Sequence, residues 1–306
     1  MACGARTPID LSPGPPDDAG ADTRRAGGVD ASRGAPDTAP RGADALGPPD
    51  AFAAFDARLG RDSGLVCPDG GLPAAYLLDV TGAIYTFSPA TLEAVLLGTP
   101  DCGTQASGTE PWTLSVSRDG TAYVVYEDWV TYAVNLTTLD CTPTTLQPAL
   151  LGVAEQFAIA VSRTSGSEQL FVFGYSSRSN GPILASSNLT SFALSEVGPA
   201  VPTLPDTTHE YDMQADLFGH LYVFTIDGLL AELDATTGKV LGSDQTAVAS
   251  GGTSWAVMTY QNGVYLFAGD EVARYDLASH EAVVLGSVQG TMEVVGASAV
   301  PCVGLL

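Results

Sequence analysis

Basic residues are scarce in this chain, and that scarcity excludes a large class of partners. It has eleven arginines and one lysine, Lys239, against 35 acidic residues, for a formal charge of −23 with its three histidines neutral. The imbalance is uneven. Residues 1–62 carry ten Asp and seven Arg, whereas the remainder carries 25 acids against only Arg118, Arg163, Arg178, Lys239 and Arg274. Such a surface repels phosphate backbones, so no nucleic-acid partner is expected. It suits cationic partners or divalent ions.

The motifs that carry well-known chemistries are missing too. There is no GxGxxG run, P-loop, GxSxG elbow, HExxH or CxxC pair. His209, His220 and His280 are dispersed and read as surface or turn residues rather than ligands. No apolar run is long enough to cross a bilayer.

What the chain does have is a repeat. Short strands rich in β-branched and aromatic residues recur around Tyr76, Tyr123, Phe171, Tyr222 and Tyr265, between 43 and 51 residues apart. A five-residue turn also recurs, as Ser88–Leu92, Asn135–Leu139, Asn188–Phe192, Asp234–Gly238 and Asp276–His280. Each opens on a side chain able to accept a local backbone N–H. Leu221–Val240 shows the unit most fully, with Asp227-Gly228 expected to supply a two-residue hairpin between its first two strands. Asn135-Leu-Thr and Asn188-Leu-Thr match a glycosylation acceptor, but their place in the repeat makes them turns. This period and content predict an all-β fold, a five-bladed β-propeller over residues 63–306.

The two ends of the repeat complement each other. The first blade has no inner strand before Ala75, and 292–300 reads as an inner strand with nothing to follow it. The terminal strand is therefore expected to complete the first blade and close the ring. That closure would bring Cys67 and Cys302 together as a disulfide, leaving Cys102 and Cys141 to pair by elimination.

Residues 1–62 are rich in Pro, Ala, Gly and Asp, and cannot bury enough apolar surface to offset the entropy of ordering. A disordered tail is expected, with at most a helical turn or two over Phe52–Leu59. Its start, Met1-Ala2-Cys3-Gly4, looks like a lipobox cut short, with Cys3 as the lipidation site. The Cys-Gly start, the Pro-rich spacer and blades such as Ser117-Arg-Asp-Gly-Thr-Ala-Tyr-Val-Val resemble uncharacterised β-propeller lipoproteins of high-GC bacterial cell envelopes. The Cys102…Cys141 spacing is similar to that group as well. The resemblance implies an exported lipoprotein whose signal peptide is removed and which meets the membrane through a lipid anchor alone; a monomer is expected. It implies no activity.

One constellation points to a site. Aromatic residues open four inner strands, at Trp112, Phe157, Tyr211 and Trp255, and acids precede three of them, at Glu110, Glu155 and Glu210. These positions fall near one rim of a propeller's axis. Aromatic walls with a carboxylate rim suit a sugar or other glycan, a cationic group or a divalent cation such as calcium, and the partner expected is a glycan, a small molecule or a protein. The structural alternative is that the aromatics fill the wedges between blades while the acids are solvated. The expected function is non-catalytic binding. The rivals are glycoside hydrolysis by two rim carboxylates and a purely structural surface role.

Overall fold

A computed structural model describes residues 74–300 except 104–108, 154–155, 165–166, 201–203, 205–209, 217, 249–253, 262 and 291. The tail expected over 1–62, Cys3, Cys67, Cys302 and Glu155 lie outside the described residues. Among the described residues, no helix is long and apolar enough to cross a membrane.

The strands fall into five antiparallel four-stranded sheets. β1 (Ala75–Asp79), β2 (Ile84–Ser88) and β3 (Glu93–Gly98) belong to the first. β4 (Pro111–Val116), β5 (Thr121–Tyr126), β6 (Thr131–Asn135) and β7 (Cys141–Pro143) form the second. The third holds β8 (Phe157–Thr164), β9 (Ser167–Ser176), β10 (Gly181–Asn188) and β11 (Ser195–Pro199). The fourth holds β12 (Tyr211–Ala215), β13 (His220–Thr225), β14 (Leu229–Asp234) and β15 (Val240–Gln245). The fifth holds β16 (Trp255–Tyr260), β17 (Gly263–Ala268), β18 (Glu271–Asp276) and β19 (Glu281–Ser287). The last strand, β20 (Val294–Ala299), pairs with β1, from Ala75 opposite Ala299 to Asp79 opposite Val294. The ring is closed as the complementary ends of the repeat required.

The five inner strands, β20, β4, β8, β12 and β16, pack side by side around the axis in that order. Each pair of neighbouring blades encloses its own apolar core, built from both facing sheets. Leu77, Leu114, Phe173, Phe224 and Phe267 are all fully buried there. Side chains of this size contribute roughly 1.5–3 kcal/mol each on leaving water. The outer strands β3, β15 and β19 face solvent along most of their length.

The recurring turn forms as expected. Asp234 Oδ1 accepts the N–H groups of Thr236 and Thr237 at 2.7 and 2.9 Å. Asn135, Asn188 and Asp276 accept the corresponding pairs in their own blades. The fifth position is left-handed every time, at Leu92, Leu139, Phe192, Gly238 and His280. Four of these are not glycine, and two of them seat on a glycine of a neighbouring blade. Leu139 of the second blade packs on Gly98 of the first, and Leu92 of the first packs on Gly286 of the fifth. Beside each of these glycines the outer strand slips by one residue, leaving Leu97 and Leu285 unpaired. Recurring pairs such as Leu97-Gly98 and Leu285-Gly286 are thus seats for the next blade's turn.

Asp227-Gly228 does not form the expected two-residue hairpin. Only Gly228 has positive φ, at 82°, its N–H reaches the Thr225 carbonyl at 2.9 Å, and the loop is one residue longer. A type I turn closed by one left-handed residue satisfies the same sequence, because Asp is content with ordinary φ there.

Polar side chains fill the axis. Asp212 on β12 accepts a hydrogen bond from Thr113 Oγ1 on β4 at 2.5 Å, and another from the Val257 N–H on β16 at 2.8 Å. Gln214 donates to the Leu114 carbonyl at 2.6 Å and accepts from Ser298 Oγ at 3.1 Å. Ser298 and Ser115 each accept a backbone N–H from the neighbouring inner strand. The result is a cross-braced plug in place of an open channel. At the periphery, Cys102, which follows β3, is disulfide-bonded to Cys141 on β7 and so ties the first blade to the second. The other expected bridge, Cys67–Cys302, lies outside the described residues.

Candidate functional site

The rim is built chiefly from two positions of the first, second and fourth blades. One is the residue just before the inner strand, and the other follows the second strand, where the next hairpin begins. The two are held together by backbone pairing. The Glu127 N–H donates to the Glu110 carbonyl at 2.9 Å, and the Val80 N–H donates to the Glu293 carbonyl at 3.0 Å. Glu210 and Ile226 lie one step beyond the Tyr211–Thr225 pair and occupy the same two positions in the fourth blade.

These residues surround a cavity of about 470 Å³. Glu110, Glu127, Glu210 and Glu293 line it together with Trp112, Trp255, Pro111, Val80, Ile226 and Val295. Its carboxylates come from the first, second and fourth blades, and none of its described lining residues is cationic. Burial, with a smaller contribution from nearby Asp227, raises the Glu210 carboxyl above its ordinary range. Among the described residues, no three His, Cys, Asp or Glu side chains are placed to hold one metal ion.

Trp112 reaches the cavity through an irregularity. The register between β4 and β5 shifts between Pro111 and Thr113, leaving Trp112 unpaired. It packs against the core between blades two and three and also against that between blades four and five. Its ring meets Trp255 edge-to-face, with centroids 5.2 Å apart and planes at 86°. On its other side it meets Trp129 at 5.7 Å and 76°. All three tryptophans of the chain therefore form one run at this rim. Trp129 holds a positive φ of 61° at a hairpin position where two other blades place Gly82 and Gly228. A bulky residue is strained in that conformation. Its contacts with Trp112 and Phe157 offset part of the cost.

The indole N–H groups of Trp112 and Trp255 are buried without a hydrogen-bond partner. An unmade hydrogen bond costs about 1–3 kcal/mol, and an edge-to-face aromatic pair returns about 0.5–1.5.

Of the residues singled out from sequence, Glu110, Trp112, Glu210 and Trp255 meet at this cavity. Phe157 and Tyr211 do not. Phe157 is 1% exposed in the core between blades two and three, and Tyr211 is 2% exposed between blades three and four, where it meets Phe173. These two aromatics fill wedges, while Trp112, unpaired at the bulge, and Trp255, regularly paired, line the cavity. Glu127 and Glu293 escaped the sequence reading. Glu293 follows Met292 at the start of the closing strand, so aligning that strand with the other inner strands would have found it. Glu127 belongs to a hairpin and carries no comparable signal. His220 and His280 lie away from the rim and pair with Asp216 and Asp244 at 2.9 and 2.8 Å.

The closed ring of five four-stranded sheets, with its axis plugged and one end hollowed, defines a five-bladed β-propeller with a rim cavity. No family model matches the chain. A search of curated proteins finds no match either. Among solved structures, it is similar to a chain of a nidogen/laminin complex, at 14% identity and a TM-score of 0.47, covering 74% of this chain and 98% of that one. It is also similar to apo AztD from Citrobacter koseri, at 10% identity and a TM-score of 0.40, covering 75% and 98% respectively.

Proposed function

We propose that this protein is a non-catalytic binding module that takes its ligand in the rim cavity and is held at a bacterial cell envelope through lipid on Cys3. One observation carries the binding reading: Glu110, Glu127, Glu210, Glu293, Trp112 and Trp255, from four blades, line a single hollow. Cavities of several hundred Å³ with aromatic walls and a few polar groups are the usual form of small-molecule sites. The plugged axis makes this hollow a pocket with a floor, so a ligand enters and leaves by the same face.

A thermal-shift screen of the full chain against sugars, amino acids, amines and divalent cations tests the reading. At least one compound should raise Tm, and the shift should vanish in Trp112→Ala. A panel with no response, or a response that survives the substitution, would contradict it. Lipidation is tested separately, by expressing the precursor with its native leader in a bacterium with a lipoprotein pathway and analysing the N-terminal peptide by mass spectrometry. An unmodified Cys3 in a soluble fraction would remove the anchor.

Glu210 favours a second reading. A carboxyl raised by burial beside other carboxylates is how a general acid for glycoside cleavage is prepared. Release of the chromophore from aryl glycosides, lost in Glu210→Gln, would establish hydrolysis in place of simple binding.

A further inference from the structure

The geometry of the rim points to a ligand class: we infer that the cavity binds a small organic cation, an alkylammonium group on a short apolar body. The inference rests on the binding reading above and names what that site selects.

Charge is the first consideration. Four glutamates line one hollow, with no cationic side chain among its described lining residues to balance them. The chain around them deepens that field, with only five cationic side chains after residue 62. A cation entering the hollow meets acidic side chains on several sides, whereas a neutral ligand gains nothing from their charge.

The distribution of those charges sets the kind of cation. They come from three different blades, and no three described acidic or histidine side chains converge as metal ligands would. A bare metal ion needs several oxygens at about 2.0–2.6 Å from one point. A positive charge spread over methyl or methylene groups instead gains from carboxylates arranged around it at longer range.

The tryptophans supply the complementary surface. Trp255 is only 7% exposed yet lines the cavity, and its ring stands nearly perpendicular to that of Trp112. Indole faces attract cations through their quadrupole, and aromatic side chains gathered around a site are the usual means of recognising quaternary ammonium groups. The bulge that brings Trp112 to the rim is absent from the corresponding inner-strand starts of the fourth and fifth blades. The volume of about 470 Å³ and the plugged axis behind it suit a small molecule better than a threaded chain.

Isothermal calorimetry on the full chain tests this with choline and benzyltrimethylammonium as probes and 3,3-dimethylbutan-1-ol as choline's uncharged isostere. Both cations should bind, choline at least about tenfold more tightly than the isostere, and affinity should fall as salt is raised. Replacing Glu110, Glu210 and Glu293 together by Gln should weaken the cations by about tenfold or more while leaving Tm within a few degrees, since Glu110 and Glu293 are exposed. Trp112→Phe should weaken them as well. Equal affinity for choline and its isostere, unchanged affinity in the triple variant, or no binding of either cation would each overturn the inference. If a sugar or other neutral compound then binds and loses its affinity in Trp112→Ala, the cavity remains a binding site of a different selectivity. If nothing binds, the broader reading fails too.

Discussion

Thr113 and Asp212 stand 99 positions apart in sequence on inner strands of the second and fourth blades, and their side chains are joined by a 2.5 Å hydrogen bond across the axis. Burial pushes the Asp212 carboxyl up to about 8, although its bonds with Thr113, Val257 and Met213 pull the other way. The group is therefore mostly a neutral carboxylic acid at neutral pH. It joins blades two, four and five without burying a charge.

The sign of the resulting pH dependence follows. The unfolded chain releases this proton near pH 3.9, and the folded one holds it to about 8. Across that window the folded state binds more protons, so Asp212 contributes its full stability below pH 3.9 and loses it as pH rises toward 8, at about 1.4 kcal/mol per unit. Asp212→Asn mimics the neutral acid and should remove this slope. Denaturant unfolding at pH 5, 6, 7 and 8 should show the wild type losing stability relative to the variant. Parallel slopes in the two proteins would mean that the carboxyl is ionised in the fold.

Ring closure depends on a close approach. A Cβ on Gly296 of β20 would lie 2.7 Å from the Leu114 backbone nitrogen on β4, so the closing strand meets the next inner strand through glycine. Gly296→Val should cost about 1–3 kcal/mol or more, because backbone cannot yield as a side-chain end can. Deleting 292–306 should do worse, exposing the edge of β1 and causing aggregation. A truncated domain that melts like the full one would disprove the closure.

Much of this was legible beforehand, and the failures have physical causes. The Asx turns at Asn135, Asn188, Asp234 and Asp276 could be read because a local carbonyl or carboxylate serves its own backbone. The terminal strand could be placed because an edge left open is unfavourable. The plug was hidden, since Asp212, Gln214 and Ser298 meet only after four blades have been stacked in order. The site was half visible. Trp112 and Phe157 look equivalent in the repeat, but Trp112 sits at a slip beside Pro111 and lines the rim, whereas Phe157 pairs regularly and fills a wedge.

The Cys102–Cys141 bridge closes a sequence separation of 39 residues and ties two blades. Reduction, or paired substitution by Ala, should lower stability by about 2–4 kcal/mol. Peptide mapping without reductant should recover the pair linked. The same map tests Cys67 with Cys302, and finding Cys67 joined to Cys102 or Cys141 would contradict the arrangement of the first blade.

The most direct test of binding at the rim uses the three tryptophans, which form a single run beside the cavity. Incorporating 5-fluorotryptophan gives three fluorine resonances, assignable by replacing each residue in turn with Phe. Titration with choline should shift the Trp112 and Trp255 signals along one saturating curve, and the three-glutamate variant should show no such shift at the same concentrations. Resonances that stay fixed through a titration in which calorimetry detects binding would place the ligand elsewhere and contradict the rim as the site.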